Sequence, residues 1–123
     1  MWNPPSNAEL QKLPPLGHYS ETSLPDIKIH QHYFIGGADW WVSEFDPKDR
    51  LFYGYVSLND PINAEWGYSS LDEMLALQIS PIGTEAHFEI DRDLYWQPRP
   101  IPQVDGIVDC YKAQGLLKLM YGR

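Results

Sequence analysis

Cysteine is all but missing. Cys110 stands alone among 123 residues, which excludes an intrachain disulfide and any zinc site built on paired cysteines. Basic residues are scarce as well: nine Lys and Arg face 17 Asp and Glu, a formal charge of −8. Such a balance opposes binding to nucleic-acid phosphates or an anionic membrane, and favours basic surfaces on other macromolecules. No run approaches the roughly 18 apolar residues of a membrane span. The opening MWNPPSNAELQ has neither the basic nor the apolar region of a secretory signal. The expectation is an unexported protein in a reducing cytoplasm. Motifs that mark chemistry are missing too: there is no G-x-S-x-G elbow, phosphate loop, zincin helix or dinucleotide fingerprint. Gly36 and Gly37 read as a turn, and Cys110 falls in a predicted helix with nothing nearby to mark it as a nucleophile.

A hydrophobic share of 43% with 21% charged residues is a globular composition, and a chain of this length buries roughly two thirds of its unfolded surface. It is therefore expected to form one domain, residues 1–123, without disulfides or a structural metal. NAELQKLPPL, with Asn7 as N-cap and Leu10 and Leu13 at helical spacing before Pro14 and Pro15, predicts a short helix. Alternation predicts strands over IKIHQHYFI, DWWVSEFD, LFYGYVSL and the short EWGYSS, with DPKD and NDPINA as turns. Ser70 then caps a helix, with Glu73 in the capping-box position. HFEIDRDLYW, residues 87–96, reads as a fifth strand. DGIVDCYKAQGLLKLM reads as one C-terminal helix with Gly115 as its weak point. Short turns imply antiparallel pairing. The expected class is α+β, a mostly antiparallel five-stranded sheet with helices packed on one face.

In the fifth strand, Glu89, Asp91 and Asp93 alternate with Phe88, Ile90 and Arg92. A period of two places the acids together on the solvated or partner-facing side, where charge reversal is expected to leave the fold intact. Three acids on one strand rarely make a cation site, because such sites gather ligands from several segments. No cofactor or metal is expected. The weak metal candidates are His30 and His32, which would need a third ligand such as Asp39 or Glu44.

The most unusual feature is aromatic density. Trp40, Trp41, Phe45, Phe52, Tyr53, Tyr55, Trp66, Tyr68, Phe88, Tyr95 and Trp96 all fall in predicted strands, so both sheet faces carry rings. With helices over one face, the other becomes a candidate binding surface, since Trp and Tyr dominate interface hot spots.

The succession ELQKLPPL, IKIHQHYF, DWWVSEFD, LFYGYV, EWGYSSLDEM and FEIDRDLYWQP resembles the small bacterial proteins grouped as domain of unknown function 2958. The likeness spans about residues 8–101, and 102–123 looks like a helical extension. The resemblance implies no catalytic residues or established activity. It implies cargo of plasmids and other mobile elements, a setting in which small acidic proteins act against host defence.

The function expected is therefore non-enzymatic: an acidic interaction module binding a basic protein surface. Its specific form is an anti-CRISPR or anti-restriction inhibitor that imitates DNA towards a nucleic-acid-binding complex. Glu44, Asp46, Glu89, Asp91 and Asp93 would supply the field, and Trp41, Tyr53, Tyr55, Trp66 and Tyr95 the anchors. One alternative is a small metal-dependent hydrolase using His30, His32 and carboxylates. Another is a single-stranded nucleic-acid binder, which the negative charge disfavours.

Overall fold

The computed structural model describes residues 1–121. In chain order it contains helix α1 (Asn7–Gln11), strands β1 (Lys28–Ile29), β2 (Gln31–Ile35), β3 (Ala38–Asp46), β4 (Leu51–Leu58) and β5 (Glu65–Ser70), and helix α2 (Leu71–Ala76). Strands β6 (Gln78–Ile79), β7 (Phe88–Glu89), β8 (Asp91–Arg92) and β9 (Arg99–Pro100) follow, then helices α3 (Asp105–Ala113) and α4 (Lys118–Tyr121). Consecutive hairpins align β2 to β5, and β8 returns to the far edge, giving one antiparallel sheet ordered β5–β4–β3–β2–β8. Two-stranded ribbons, β1 with β9 and β6 with β7, flank it. The class is α+β in a single domain, with the five-stranded antiparallel sheet that alternation predicts.

Local chemistry sets the ends of these elements. The cap of α1 is Ser6, one residue before the expected Asn7: its hydroxyl accepts the Glu9 amide while the Glu9 carboxylate accepts the Ser6 amide, so two otherwise orphaned donors are satisfied reciprocally. Ser70 caps α2 by accepting the Glu73 amide at 3.2 Å. In the β3–β4 turn Asp46 accepts the Lys48 amide, and Arg50 takes a left-handed conformation with φ 53°. Gly115, with φ 71°, breaks the expected single C-terminal helix into α3 and α4.

Helices cover both faces of the sheet, not one. Trp41 and Val42 are adjacent in β3 and so point to opposite sides. Trp41 joins Ile29, Tyr55, Ile101, Ile107, Cys110, Tyr111 and Met120 in one core cluster, on the side of α3 and α4. Val42 joins Leu10, Tyr33, Phe45, Phe52, Leu71, Met74 and Ile90 in a second, on the side of α1 and α2. Aromatic residues on both strand faces thus reflect two cores. The C-terminal segment belongs to the first core: Gly106 lies so close to Trp41 that a Cβ there would stand 2.3 Å from the indole. Positions 122 and 123 of the expected extension lie outside the described residues.

The stretch 87–96 is not one strand. Phe88 and Glu89 pair with β6, while Asp91 and Arg92 pair with β2. Between them Ile90 is fully buried where the chain passes from one ribbon to the other sheet. Past Arg92 the Asp93 carboxylate accepts the Tyr95 amide, a local turn in which an aspartate side chain competes with the ladder for the backbone. Arg92 reaches back to Glu9 at 2.5 Å, and its guanidinium holds the Glu9 carboxyl down at about 2.

Candidate partner-binding cleft

Regular alternation along β3 would send Glu44 to the same side as Val42. A β-bulge intervenes: Val42 pairs with Gly54, Glu44 pairs with Tyr53, and Ser43 is the extra residue. Bulges of this kind re-aim side chains. Glu44 is thereby turned to the side of Tyr53 and Tyr55, and Phe45 is placed in the second core. Gly54 makes room for the bulge, since a Cβ there would sit 2.0 Å from the Trp41 carbonyl oxygen.

On that side Glu44 lines a cleft of about 450 Å³ with Tyr19, Leu24, Tyr53, Trp66 and Tyr68, a size within the range of ligand pockets. Glu44 is only 5% exposed, and its carboxylate accepts two backbone amides, Gly17 on one oxygen and Tyr19 on the other, each at 2.9 Å. Among the described residues no cationic group pairs with it. Trp66 forms one wall and is held by α3, its indole N–H donating to the Tyr111 hydroxyl at 2.9 Å. Tyr53 stacks on Trp66 with centroids 6.0 Å apart and meets Tyr68 edge-on at 5.0 Å. Tyr68 stands at the mouth, 64% exposed. Burial pushes the Tyr53 phenol upward, and the Tyr68 phenol and the Glu44 carboxylate add to that shift. Burial also raises Tyr19, with the Glu44 charge contributing further.

The structure divides the ten residues expected to form the partner surface. Trp41 and Tyr55 are core, 5% and 2% exposed, because their side of the sheet is roofed by α3. Glu44 is buried. Asp46 is occupied in its turn. Glu89 accepts from the Met1 ammonium and lies 3.0 Å from the His87 ring; Asp91 accepts from Asn3 and from the Arg92 amide. None of the five acids is among the exposed ones, which include Glu21, Asp49, Asp60, Glu65, Glu73 and Glu85. Tyr53 and Trp66 meet in the cleft, whereas Tyr95, 90% exposed, follows β8, three strands from β4 or about 14 Å across the sheet. Gly17, Tyr19 and Ser43 also line the cleft, and no motif in the sequence marks them. Their one visible signal is Gly17, whose φ of 86° bends the chain so that two amides converge on Glu44.

The two histidines do not form a chelate. His30 falls at the break between β1 and β2, and its Nε2 lies 2.7 Å from the Tyr19 hydroxyl. His32 lies against Asp39, the third ligand considered for it, at 2.8 Å, and stacks on Trp41 at an interplanar angle of 7°. Its buried Nδ1 makes no hydrogen bond and has Asp93 3.9 Å away. Among the described residues no group of three or more His, Cys, Asp or Glu is arranged to hold a metal ion.

These contacts revise the expectation for charge reversal at Asp91 and Asp93. Lysine at both positions would remove acceptors used by Asn3, Arg92 and Tyr95 and set a cation beside His32. The double variant Asp91→Lys, Asp93→Lys is expected to lose roughly 2 kcal/mol of stability, measured by urea unfolding. An unchanged midpoint would show these hydrogen bonds to be energetically idle.

No family model matches the chain, and neither a curated protein nor a solved structure does.

Proposed function

We propose that the protein is a non-enzymatic interaction module that binds a basic protein surface through the face around Tyr53, Trp66 and Tyr68. The observation that carries this reading is the stacked aromatic cluster, partly open to solvent, on a chain of net charge −8. Partly exposed Tyr and Trp held by neighbouring rings lose little freedom on binding and act as anchors. The net negative charge of the chain favours encounter with a basic partner. The resemblance to mobile-element proteins supports a specific form, in which the partner is a nucleic-acid-binding complex of host defence and the acidic protein occupies its nucleic-acid site.

The test is affinity capture on the immobilised protein across a salt series, followed by kinetics with the retained partner. Retention should fall as salt rises, because the steering field is screened. Tyr68→Ala, an exposed change that leaves the fold in place, should weaken binding at least about tenfold. Capture of background proteins alone at every salt concentration would refute the reading.

A further inference from the structure

Glu44 combines three properties that the interaction reading does not use. It is a carboxylate nine-tenths buried; it has no cationic partner among the described residues; and it lines an open cleft with aromatic walls. Desolvating a carboxylate without a counter-charge is costly. Two amides from the Gly17–Tyr19 loop reduce that cost, but they are neutral. Each Glu44 oxygen accepts one amide and keeps acceptor capacity, so the group can still receive two parallel N–H donors. Tyr53, Trp66 and Tyr68 supply the ring surface that attracts a cation, with Trp the strongest such group.

We propose that the cleft takes one arginine side chain of the basic partner, its guanidinium forked onto Glu44 and its stem against Trp66 and Tyr68. This rests on the interaction reading for its source and deepens it by naming the anchor. Arginine fits better than lysine on two counts. Its planar fork matches a carboxylate with two free acceptor positions, and its weaker hydration and flat π-surface suit an aromatic slot, whereas an ammonium gives up more water to enter. The −8 charge gives the complementarity, and the Glu44 field already felt by Tyr19 and Tyr53 lies along the cleft.

The experiment uses the full chain, labelled with ¹⁵N, titrated with acetyl-Gly-Arg-Gly-amide and with the same peptide carrying lysine or the neutral isostere citrulline. Expected are saturable shifts at the Gly17 and Tyr19 amides and the Trp66 indole with arginine. Binding should be several-fold weaker with lysine, and citrulline should produce no shift. Glu44→Gln should weaken arginine binding at least about tenfold. Because glutamine retains one oxygen acceptor for two amides, a loop rearrangement in that variant is answered by Tyr68→Leu. This exposed change keeps an apolar mouth, removes the ring, and should weaken binding several-fold. Equal response to citrulline, shifts confined to other surface acids, or full binding by Tyr68→Leu would overturn the proposal. Tighter binding of free arginine than of the peptide would overturn the assignment to a protein side chain. If the peptide leaves the cleft untouched while a captured partner still depends on Tyr68, the arginine site falls and the interaction reading stands. If the peptide binds as described but no basic partner is captured, the site stands and that reading falls.

Discussion

Replacing Gly54 by alanine is expected to cost about 3 kcal/mol or more, while the same change at Gly67, its cross-strand neighbour, is expected to leave stability unchanged or raise it by up to about 1 kcal/mol. The two glycines pair in the β4–β5 register, although Gly54 is buried in an interior strand and Gly67 is half-buried in the edge strand. They differ in what a Cβ would meet. At Gly67 nothing lies within 4 Å; at Gly54 the Trp41 carbonyl oxygen stands at 2.0 Å and the Val42 Cα at 3.0 Å. Those atoms are backbone of the adjoining strand β3, so relief requires the two strands to separate and their ladder to lengthen. Thermal and urea unfolding of both variants decide the matter. Equal stability of the two would mean that the β3–β4 approach is looser than described. A partly tolerated Gly54→Ala variant should also disturb Glu44, because the close approach accompanies the bulge that turns this carboxylate into the cleft.

How much of this was readable from the chain depends on the range of the interaction concerned. Hairpin order, the strand spans of β4 and β5 and the Ser70 cap follow from turn residues and alternation within a few positions, and they agree with the structure. The bulge at Ser43 does not announce itself. DWWVSEFD reads as an unbroken strand, and the extra residue is fixed by Gly54 eleven positions further on. Without it Glu44 falls on the wrong face, and its role as the buried floor of a cleft cannot be seen. The break at Ile90 is missed for a similar reason: alternation continues through FEIDRD, but its two halves pair with different strands. In the sequence, acidity points to the most regularly spaced carboxylates, Glu89, Asp91 and Asp93. Those are the ones consumed by local turns and hydrogen bonds, while the exposed charge is scattered through loops, helices and the start of β5, where it forms no pattern.

Ending the chain at Gln103 is expected to abolish folding. The resemblance expected from the sequence extends only over about residues 8–101, so the remainder is expected there to be an extension. Within the fold it is a wall of the first core: Ile107, Cys110, Tyr111 and Met120 are buried there, Ile107 completely. Losing four such side chains removes roughly 6 to 12 kcal/mol of burial, comparable to the whole stability of a domain, about 5 to 15 kcal/mol. Trp41, Tyr55 and Ile29 would also be uncovered on one side. The Tyr111 hydroxyl that orients Trp66 would be lost, together with Gln114, which donates to the Ala64 carbonyl at 2.8 Å. The truncated chain should lack the near-ultraviolet signature of packed aromatics and bind hydrophobic dye, the behaviour of a chain whose side-chain packing is lost. The informative alternative is a truncated chain that melts cooperatively. Residues 1–103 would then hold the sheet together through the second core alone, and α3 and α4 would be an addition whose contribution is to set the Trp66 wall of the cleft. In that event the single variant Tyr111→Phe, which deletes only the acceptor for the Trp66 indole, should reproduce the truncated chain's loss of arginine-peptide binding with the fold intact.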